Sequence, residues 1–429
     1  MNRTTVADPD LTQACLNGQH TLTVSWVRGL RTLLAASGPA VIASVAYLDP
    51  GNIITNLQAG ARYGDTLLWV VLLASIVAML FQSMSARLGI ATGRNLAEIC
   101  RDALPRRYAI ALWLFCEAAA MATDLAEVLG SAIGISLLLH ITLFDGMVIT
   151  IIATYALLQL EKRGFRPLEL VIAGFVGVIG MAYLAELSIM PVNWSSVWRH
   201  TLPSRFADHG ALNLAVGIVG ATIMPHTLFL HSGLTQNRMP TGTDHERRAL
   251  IRLSNIEVAF ALGAAALINV AMVVVASVAF HHGHPDTADI ASATRLLTPL
   301  SGVWVGTLFL VALVASGISS SVVGTMAGQV IVQGFVGFRI PWWLRRIVTT
   351  VPAVIVIASG CDVTSTLVAS QVVLSIVLPV PMIALVWSTS HRGLMGDYRN
   401  RRSTTVAAII ATGLVLALNI LLLWQLSHA

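Results

Sequence analysis

The sequence predicts an all-α polytopic membrane protein with eleven transmembrane helices, ten of them in two inverted five-helix repeats and the eleventh outside. Three observations predict it. Of the 429 residues, 56% are hydrophobic and only 11% charged, with a mean hydropathy of +0.77, whereas a soluble domain carries about 25% charged residues. Apolar runs long enough to cross roughly 30 Å of hydrocarbon recur along the chain. Two of these runs, five crossings apart, are broken in the same manner by proline, the best sequence pointer to a transporter site near the middle of a membrane.

The first run, about 33–61, contains Gly38-Pro39-Ala40 and is interrupted at Asp49-Pro50-Gly51-Asn52 before Ile53-Ile54-Thr55-Asn56 resumes a helical pattern. Pro50 lacks an N–H and clashes with the preceding turn, and Gly51 lets the backbone leave helical angles. The second run is 66–86. The third, 109–138, carries Glu117, Asp124 and Glu127, which fall within roughly an 80° arc of one helix face. The fourth and fifth are 142–160 and 168–189, the latter with glycines from Gly174 through Gly180 that read as close helix packing. The sixth, 211–235, is interrupted at Met224-Pro225-His226. The seventh, 254–280, holds Asn255 and Asn269, and the eighth, 302–336, is long enough to project beyond the membrane and carries Gly324 through Gly328. The ninth, 347–359, is short enough to need its polar flanks; 364–388, with Gln371, and 404–425 complete the set.

The connections support the alternation. With the N-terminus cytoplasmic, all of the 26 basic residues except Arg62, Arg199, Arg205 and Arg295 fall on the inner side. This is the positive-inside pattern, with the C-terminus outside. The net charge of +5 therefore records topology, and anionic lipid, with no nucleic acid, is the only polyanion it implies. Asp8, Pro9, Asp10 and Asn17 precede Arg28 and Arg31 without an apolar segment, so no removable signal peptide is expected. Cys15, Cys100, Cys116 and Cys361 are too dispersed for a disulfide framework or a thiolate metal site. No polar stretch is long enough for a soluble domain. The organisation reads as a cytoplasmic segment 1–32, a ten-helix transport core 33–389, and a cytoplasmic loop with the eleventh helix, 390–429. In the loop His281, His282, His284 and Asp286, Gly283 and Pro285 give no rigid scaffold, and a solvated loop is preferred to a weak metal-collecting site.

Asp49 lies about halfway along its run, near Asn52 and one turn after the freed carbonyl of Ala46. It would cap the second half of the broken helix. A carboxylate at that depth is costly unless compensated, which favours a function beside the cap. A single methionine on a lipid-embedded helix is usually packing, but Met224 stands at the second break. A thioether beside a carboxylate, an amide oxygen and freed carbonyls forms a mixed soft and hard set, suited to Mn²⁺ or Fe²⁺ more than to Ca²⁺ or Mg²⁺. The acidic stripe reads either as carboxylates packed against Arg345 or Arg346 or as a proton route. His226, beside the break, and His231 are titratable near neutral pH or structural. Asn269, Asn255 and Gln371 read as interhelical hydrogen bonding; spacing alone does not establish that Gln371 supplies an oxygen to an ion.

Asp49-Pro50-Gly51-Asn52, Ala122-Thr123-Asp124-Leu125-Ala126-Glu127, Ala221-Thr222-Ile223-Met224-Pro225-His226 and Ser370-Gln371-Val372-Val373-Leu374-Ser375 stand in that order. In these residues the chain resembles the Nramp family, the natural resistance-associated macrophage proteins and their bacterial proton-coupled manganese transporters. The resemblance runs from about residue 33 to the end, and the eleven crossings look like the bacterial type. It implies a LeuT-like 5+5 inverted repeat with discontinuous helices 1 and 6. It further implies a metal held by Asp49, Asn52, Met224, the backbone oxygens of Ala46 and Ala221, and in some states Gln371. Proton movement would involve Asp49, His226, Asp124, Glu127 and Glu117, and lead toward Arg345 and Arg346; Asn269 becomes a conformation-dependent contact.

The function expected is secondary active import of Mn²⁺, with Fe²⁺ and other soft divalent ions, coupled to protons by alternating access. No cofactor and no enzyme activity are expected. An intramembrane metalloprotease lacks its pattern, since His226 and His231 do not form HExxH. The alternative is a LeuT-like symporter for an organic solute. The expected partners are the transported ion, protons and lipid in a bacterial inner membrane, with a monomeric state left open.

Overall fold

Among the described residues each predicted run is helical apart from the two breaks, and helix ends fall where the local chemistry requires them. The computed structural model describes residues 38–160, 165–236, 243–281, 290, 292, 303–337 and 340–428. Outside them lie the segment 1–37, Lys162, Arg163, Arg238, Arg295 and Arg339, and three of the four ligand-type loop residues, His282, His284 and Asp286.

Helix α1 spans Pro39–Ala46 and α2 spans Pro50–Tyr63; both start on a proline, tolerated where the N–H has no helical partner. Asp49 caps α2, its Oδ1 accepting from Asn52 N at 2.8 Å, an interaction worth about 1 kcal/mol. Gly64 ends α2 at φ +59°, a left-handed conformation that glycine adopts without penalty, and a short 3-10 turn leads into α3, Leu68–Thr92. A capping box of Asn95 and Glu98 starts α4, Leu96–Ala103. There follow α5 Arg106–Leu139, α6 Leu143–Leu158, α7 Phe165–Ile189 and the short α8 Trp194–Arg199. The second broken pair is α9 His209–Thr222 and α10 Pro225–Thr235. Then come α11 Asp244–Phe280, α12 Val303–Val336 and α13 Trp342–Ser359. The last are α14 Val363–Val377, α15 Pro379–Ser390, α16 Arg392–Met395 and α17 Arg402–His428. The short ninth run does recruit its polar flank: α13 begins at Trp342 and takes in Arg345 and Arg346.

Eight continuous helical stretches among the described residues are long and apolar enough to cross a bilayer, with Leu143–Leu158 a shorter apolar helix. One of the eight, Pro50–Thr92, contains the Gly64 turn between two predicted crossings. Cross-links at the two ends agree with alternation. At one end Arg87 bonds Asn400, Arg101 bonds the Gly334 carbonyl, and Tyr398 receives Arg247 and Arg248 over its ring. At the other, Tyr63 donates to Asp208, Ser196 to Asp65 and Ser204 to the Thr66 carbonyl. Basic loops thus gather at the first end, and Arg62, Arg199 and Arg205 belong to the second.

The broken helices sit at the centre. The most apolar stretch of His209–Thr235 is 100% buried, against 33% for the peripheral Arg166–Ile189 and Arg402–Gln425. Among the glycines, Gly174 and Gly177 have no neighbour against them and Gly180 meets only Ile268. The expected role in close helix packing is met at Gly180, against α11, and not at Gly174 and Gly177, which face outward.

Candidate functional site

Two prolines create the site. In a continuous helix the carbonyl of residue i accepts from the N–H of residue i+4. Ala46 is followed at i+4 by Pro50 and Ala221 by Pro225, so neither carbonyl has a helical donor. The chain leaves helical geometry at Tyr47–Asp49 and again at Ile223 and Met224. Buried backbone carbonyls need partners. Asn269 Nδ2 donates to the Tyr47 carbonyl at 2.8 Å, Ser316 Oγ donates to that of Leu48, and Asn52 Nδ2 donates to that of Ala221 at 2.9 Å.

Asn52 ties the two breaks together. Its Nδ2 also donates to Asp49 Oδ1 at 2.8 Å, and its Oδ1 accepts from Thr222 Oγ1 at 3.1 Å. Asp49, Asn52, Met224 and Gln371 are all 0% exposed. Asp49 Oδ2 and Gln371 Oε1 receive no hydrogen bond. Leaving such acceptors dry and unpaired is expensive. Gln371 reaches this point from α14 because Gly51 and Gly220 let it: a Cβ at Gly51 would overlap the Gln371 amide, and one at Gly220 would overlap the Gln371 carbonyl. Met224 precedes α10 at its N-cap position without a side-chain hydrogen bond and packs in one apolar cluster with Ala46, Leu230 and Val323. No group of three or more His, Cys, Asp or Glu side chains suited to a metal occurs among the described residues. The donors gathered here are one carboxylate, two amides, two carbonyls and a thioether.

The acidic stripe divides into paired and unpaired members. Arg345 Nη1 lies 2.8 Å from Glu117 Oε1, and Arg346 Nη1 lies 3.0 Å from Asp124 Oδ1 with its other nitrogen on Ser321 Oγ. Glu127 is fully buried and receives no N–H or hydroxyl donor on either oxygen; its carboxyl lies within hydrogen-bond reach of that of Asp124, and its other charged neighbours are Arg346 and Asp49. Gly324 and Gly328 make room for these side chains: a Cβ at Gly324 would come within 2.8 Å of Glu127, and one at Gly328 would overlap the Arg345 guanidinium. Pro50 packs directly on Gly130, so the first break touches α5 one turn beyond Glu127. His226 Nδ1 lies 3.3 Å from Thr123 Oγ1, beside Asp124 on α5, and its Nε2 is unbonded.

Sequence reasoning missed a second polar layer. Gln82 on α3 donates to the Tyr47 hydroxyl at 2.6 Å and to Thr227 Oγ1 at 2.9 Å, and its Oε1 lies 2.7 Å from His231 Nδ1. His231 is thereby placed in a link between both broken helices and α3, away from the acidic stripe. Asn269 Oδ1 accepts from Asn56 at 3.0 Å while its amide holds Tyr47. Glu257 Oε1 accepts from Gly38 N at 2.6 Å and Ala40 N at 3.0 Å, capping α1 from α11 because Gly38 has no side chain to do so. A lone Gln or Glu inside an apolar run was the available signal for Gln82 and Glu257.

Comparison with known proteins follows the same residues. The family model described as natural resistance-associated macrophage protein-like matches residues 40–425. A divalent metal cation transporter MntH of Verminephrobacter eiseniae is 61% identical over 398 residues, covering 93% of this chain and 91% of that one. The protein of the same name from Deinococcus radiodurans is 49% identical over 400 residues, covering 93% and 92%. The crystal structure of the Eremococcus coleocola manganese transporter superposes with a TM-score of 0.84 at 32% identity, covering 91% of this chain and 86% of that one. The nucleobase-cation-symport-1 transporter MHP1 shares the fold alone, with a TM-score of 0.58 at 13% identity over 90% of this chain and 91% of that one.

Proposed function

The chain belongs to the Nramp family, and from that premise we propose that it imports Mn²⁺ and related soft divalent ions, in symport with protons, through the paired helix breaks. It is a divalent metal ion transporter in a membrane, and no substrate bond is broken. One observation carries the proposed site: the proline-freed carbonyls of Ala46 and Ala221 flank a fully buried carboxylate and a fully buried thioether. Asp49 supplies the charge, Asn52 and Gln371 amide oxygens, and Met224 the sulfur that disfavours Ca²⁺. The Asn52 amide, which bridges Asp49 and Ala221, would turn its oxygen toward an arriving ion.

Apolar side chains flank this site on both sides. Toward the Tyr63 end, Ile53, Leu57, Tyr183, Met272, Phe280 and Phe309 enclose a void of about 10 Å³, at the limit of what holds one water. Toward the basic end, Ile42 and Val45 of α1 pack with Leu168, Ile172, Leu230 and Met326. In this reading a hydrated ion enters and leaves as the broken helices move, which is alternating access about a fixed site. The direction read from the basic residues makes the Tyr63 face extracellular and the basic face cytoplasmic. Protons released or taken up at Asp49 pass to Glu127, which lacks a cation of its own, and on to the Asp124–Arg346 pair; His226 and the Glu117–Arg345 pair adjoin that route.

The test is Mn²⁺ uptake into proteoliposomes by the parent and Met224→Ala, with and without excess Ca²⁺. Uptake by the parent should resist Ca²⁺ and uptake by the variant should not. An unchanged preference would refute the role of the sulfur. Uptake of an organic solute that Mn²⁺ does not affect would favour the symporter alternative.

A further inference from the structure

One opening on the lipid-facing surface lies away from the ion site. A cavity of about 420 Å³, lined by Tyr108, Ala111, Phe115, Val380, Ile383 and Trp387, separates the start of α5 from α15. That volume falls in the range of about 300–1,000 Å³ typical of small-molecule sites. Its lining is apolar, and it opens sideways beside the exposed Leu114 of α5.

The rim at the basic end has a different character. Arg106 and Arg107 begin α5, and neither meets a carboxylate among the described residues. The nearby Asp102 is already held by Arg94 and Arg101. Arg107 lies 4.8 Å over the ring of Tyr108, and the Trp387 ring lies 5.6 Å from that of His391, next to Arg392. Tyr and Trp with an apolar body and a polar tip are the residues of a membrane interface. An occupant must therefore be apolar along its length, anionic at one end, and present laterally in the bilayer.

We propose that this groove is a binding site for one anionic phospholipid, its acyl chain between α5 and α15 and its phosphate at Arg106, Arg107 and Arg392. Arg101 bonds the Gly334 carbonyl of α12 immediately beyond this rim, so an occupied groove would brace the loop between α4 and α5 against α12.

Native mass spectrometry of the full-length protein in detergent, titrated with phosphatidylglycerol or phosphatidylcholine, tests the assignment. The parent should retain phosphatidylglycerol in preference to phosphatidylcholine. Each arginine beside an anionic headgroup contributes about fivefold in affinity, so Arg106→Gln with Arg107→Gln should weaken phosphatidylglycerol binding roughly 25-fold and leave phosphatidylcholine unchanged. Ala111→Trp, at an exposed position, should fill the groove and remove adducts of both lipids. Equal retention of the two lipids by the parent, adducts that survive both variants, or a lipid-free dimer seated on this face would each overturn the proposal.

Discussion

Asp49 and Asn52 act as a pair at the residue scale. The Asp49 Oδ1 that caps α2 leaves Oδ2 unbonded, so capping and ion binding use different oxygens of one carboxylate. Asp49→Asn keeps a cap of similar shape while removing the charge. It should leave folding intact and bring Mn²⁺ uptake down to the level of protein-free liposomes, a separation read by thermal unfolding beside transport. Asn52→Ala removes the donors that hold Asp49 and the Ala221 carbonyl together. Each net hydrogen bond is worth about 1 kcal/mol; Mn²⁺ affinity measured calorimetrically should fall by an order of magnitude or more, and an unchanged affinity would remove Asn52 from the site. Glu127 offers a different readout. Glu127→Gln preserves its packing beneath Gly324 but removes its charge; Mn²⁺ binding should survive while proton uptake accompanying Mn²⁺, followed with a pH dye in the vesicles, is lost.

At the scale of elements, the outer end of each half of the first broken helix carries a side-chain tether. Glu257 accepts two N–H groups at the start of α1, and Tyr63 at the end of α2 donates to Asp208, the cap of α9, at 2.7 Å. The second tether joins both broken helices at one end. The Tyr63 hydroxyl, and after it the Ala211 N–H, hold the Asp208 carboxyl below the usual carboxylate range. A depressed folded value means that the stabilisation is complete above the unfolded value of about 3.9 and is lost as pH falls through the folded one. Tyr63→Phe removes the larger cause, so the Asp208 titration midpoint, followed by its carboxylate carbon signal, should move upward; no movement would show that the tether does not form. Gly130 matters by contact: a Cβ there would overlap Pro50. Gly130→Val should therefore displace the first break and lower uptake without touching any proposed ligand.

Across the whole molecule, what was legible in the sequence was whatever is rare in lipid. Asp49, Pro50, Met224 and Pro225 stand out because charge and helix-breaking residues are costly there, and both breaks lie where the sequence places them. The pairing of Glu117 with Arg345 and Asp124 with Arg346 was one of two readings, and only packed coordinates distinguish the paired acids from the unpaired Glu127. The layer of Tyr47, Gln82, Thr227 and His231 was not legible, because a polar side chain in an apolar run looks the same whichever helix it meets. Glycines behave likewise: Gly324 faces carboxylates and Gly174 faces outward, with no local difference in sequence. The two tethers lie on opposite sides of the proposed site, which fixes the sign of a last prediction. Alternating access makes the two openings mutually exclusive, so a change that releases one face draws population from the other. Loss of one such hydrogen bond, about 1 kcal/mol, shifts the balance about fivefold. Glu257→Leu, which removes the acceptor for Gly38 N and Ala40 N, should speed thiol labelling of Ile42→Cys at the basic end and slow that of Leu57→Cys, and Tyr63→Phe should do the reverse. If either change accelerated both labels, the molecule would open as a channel does, and the breaks would not be the axis of a transport cycle.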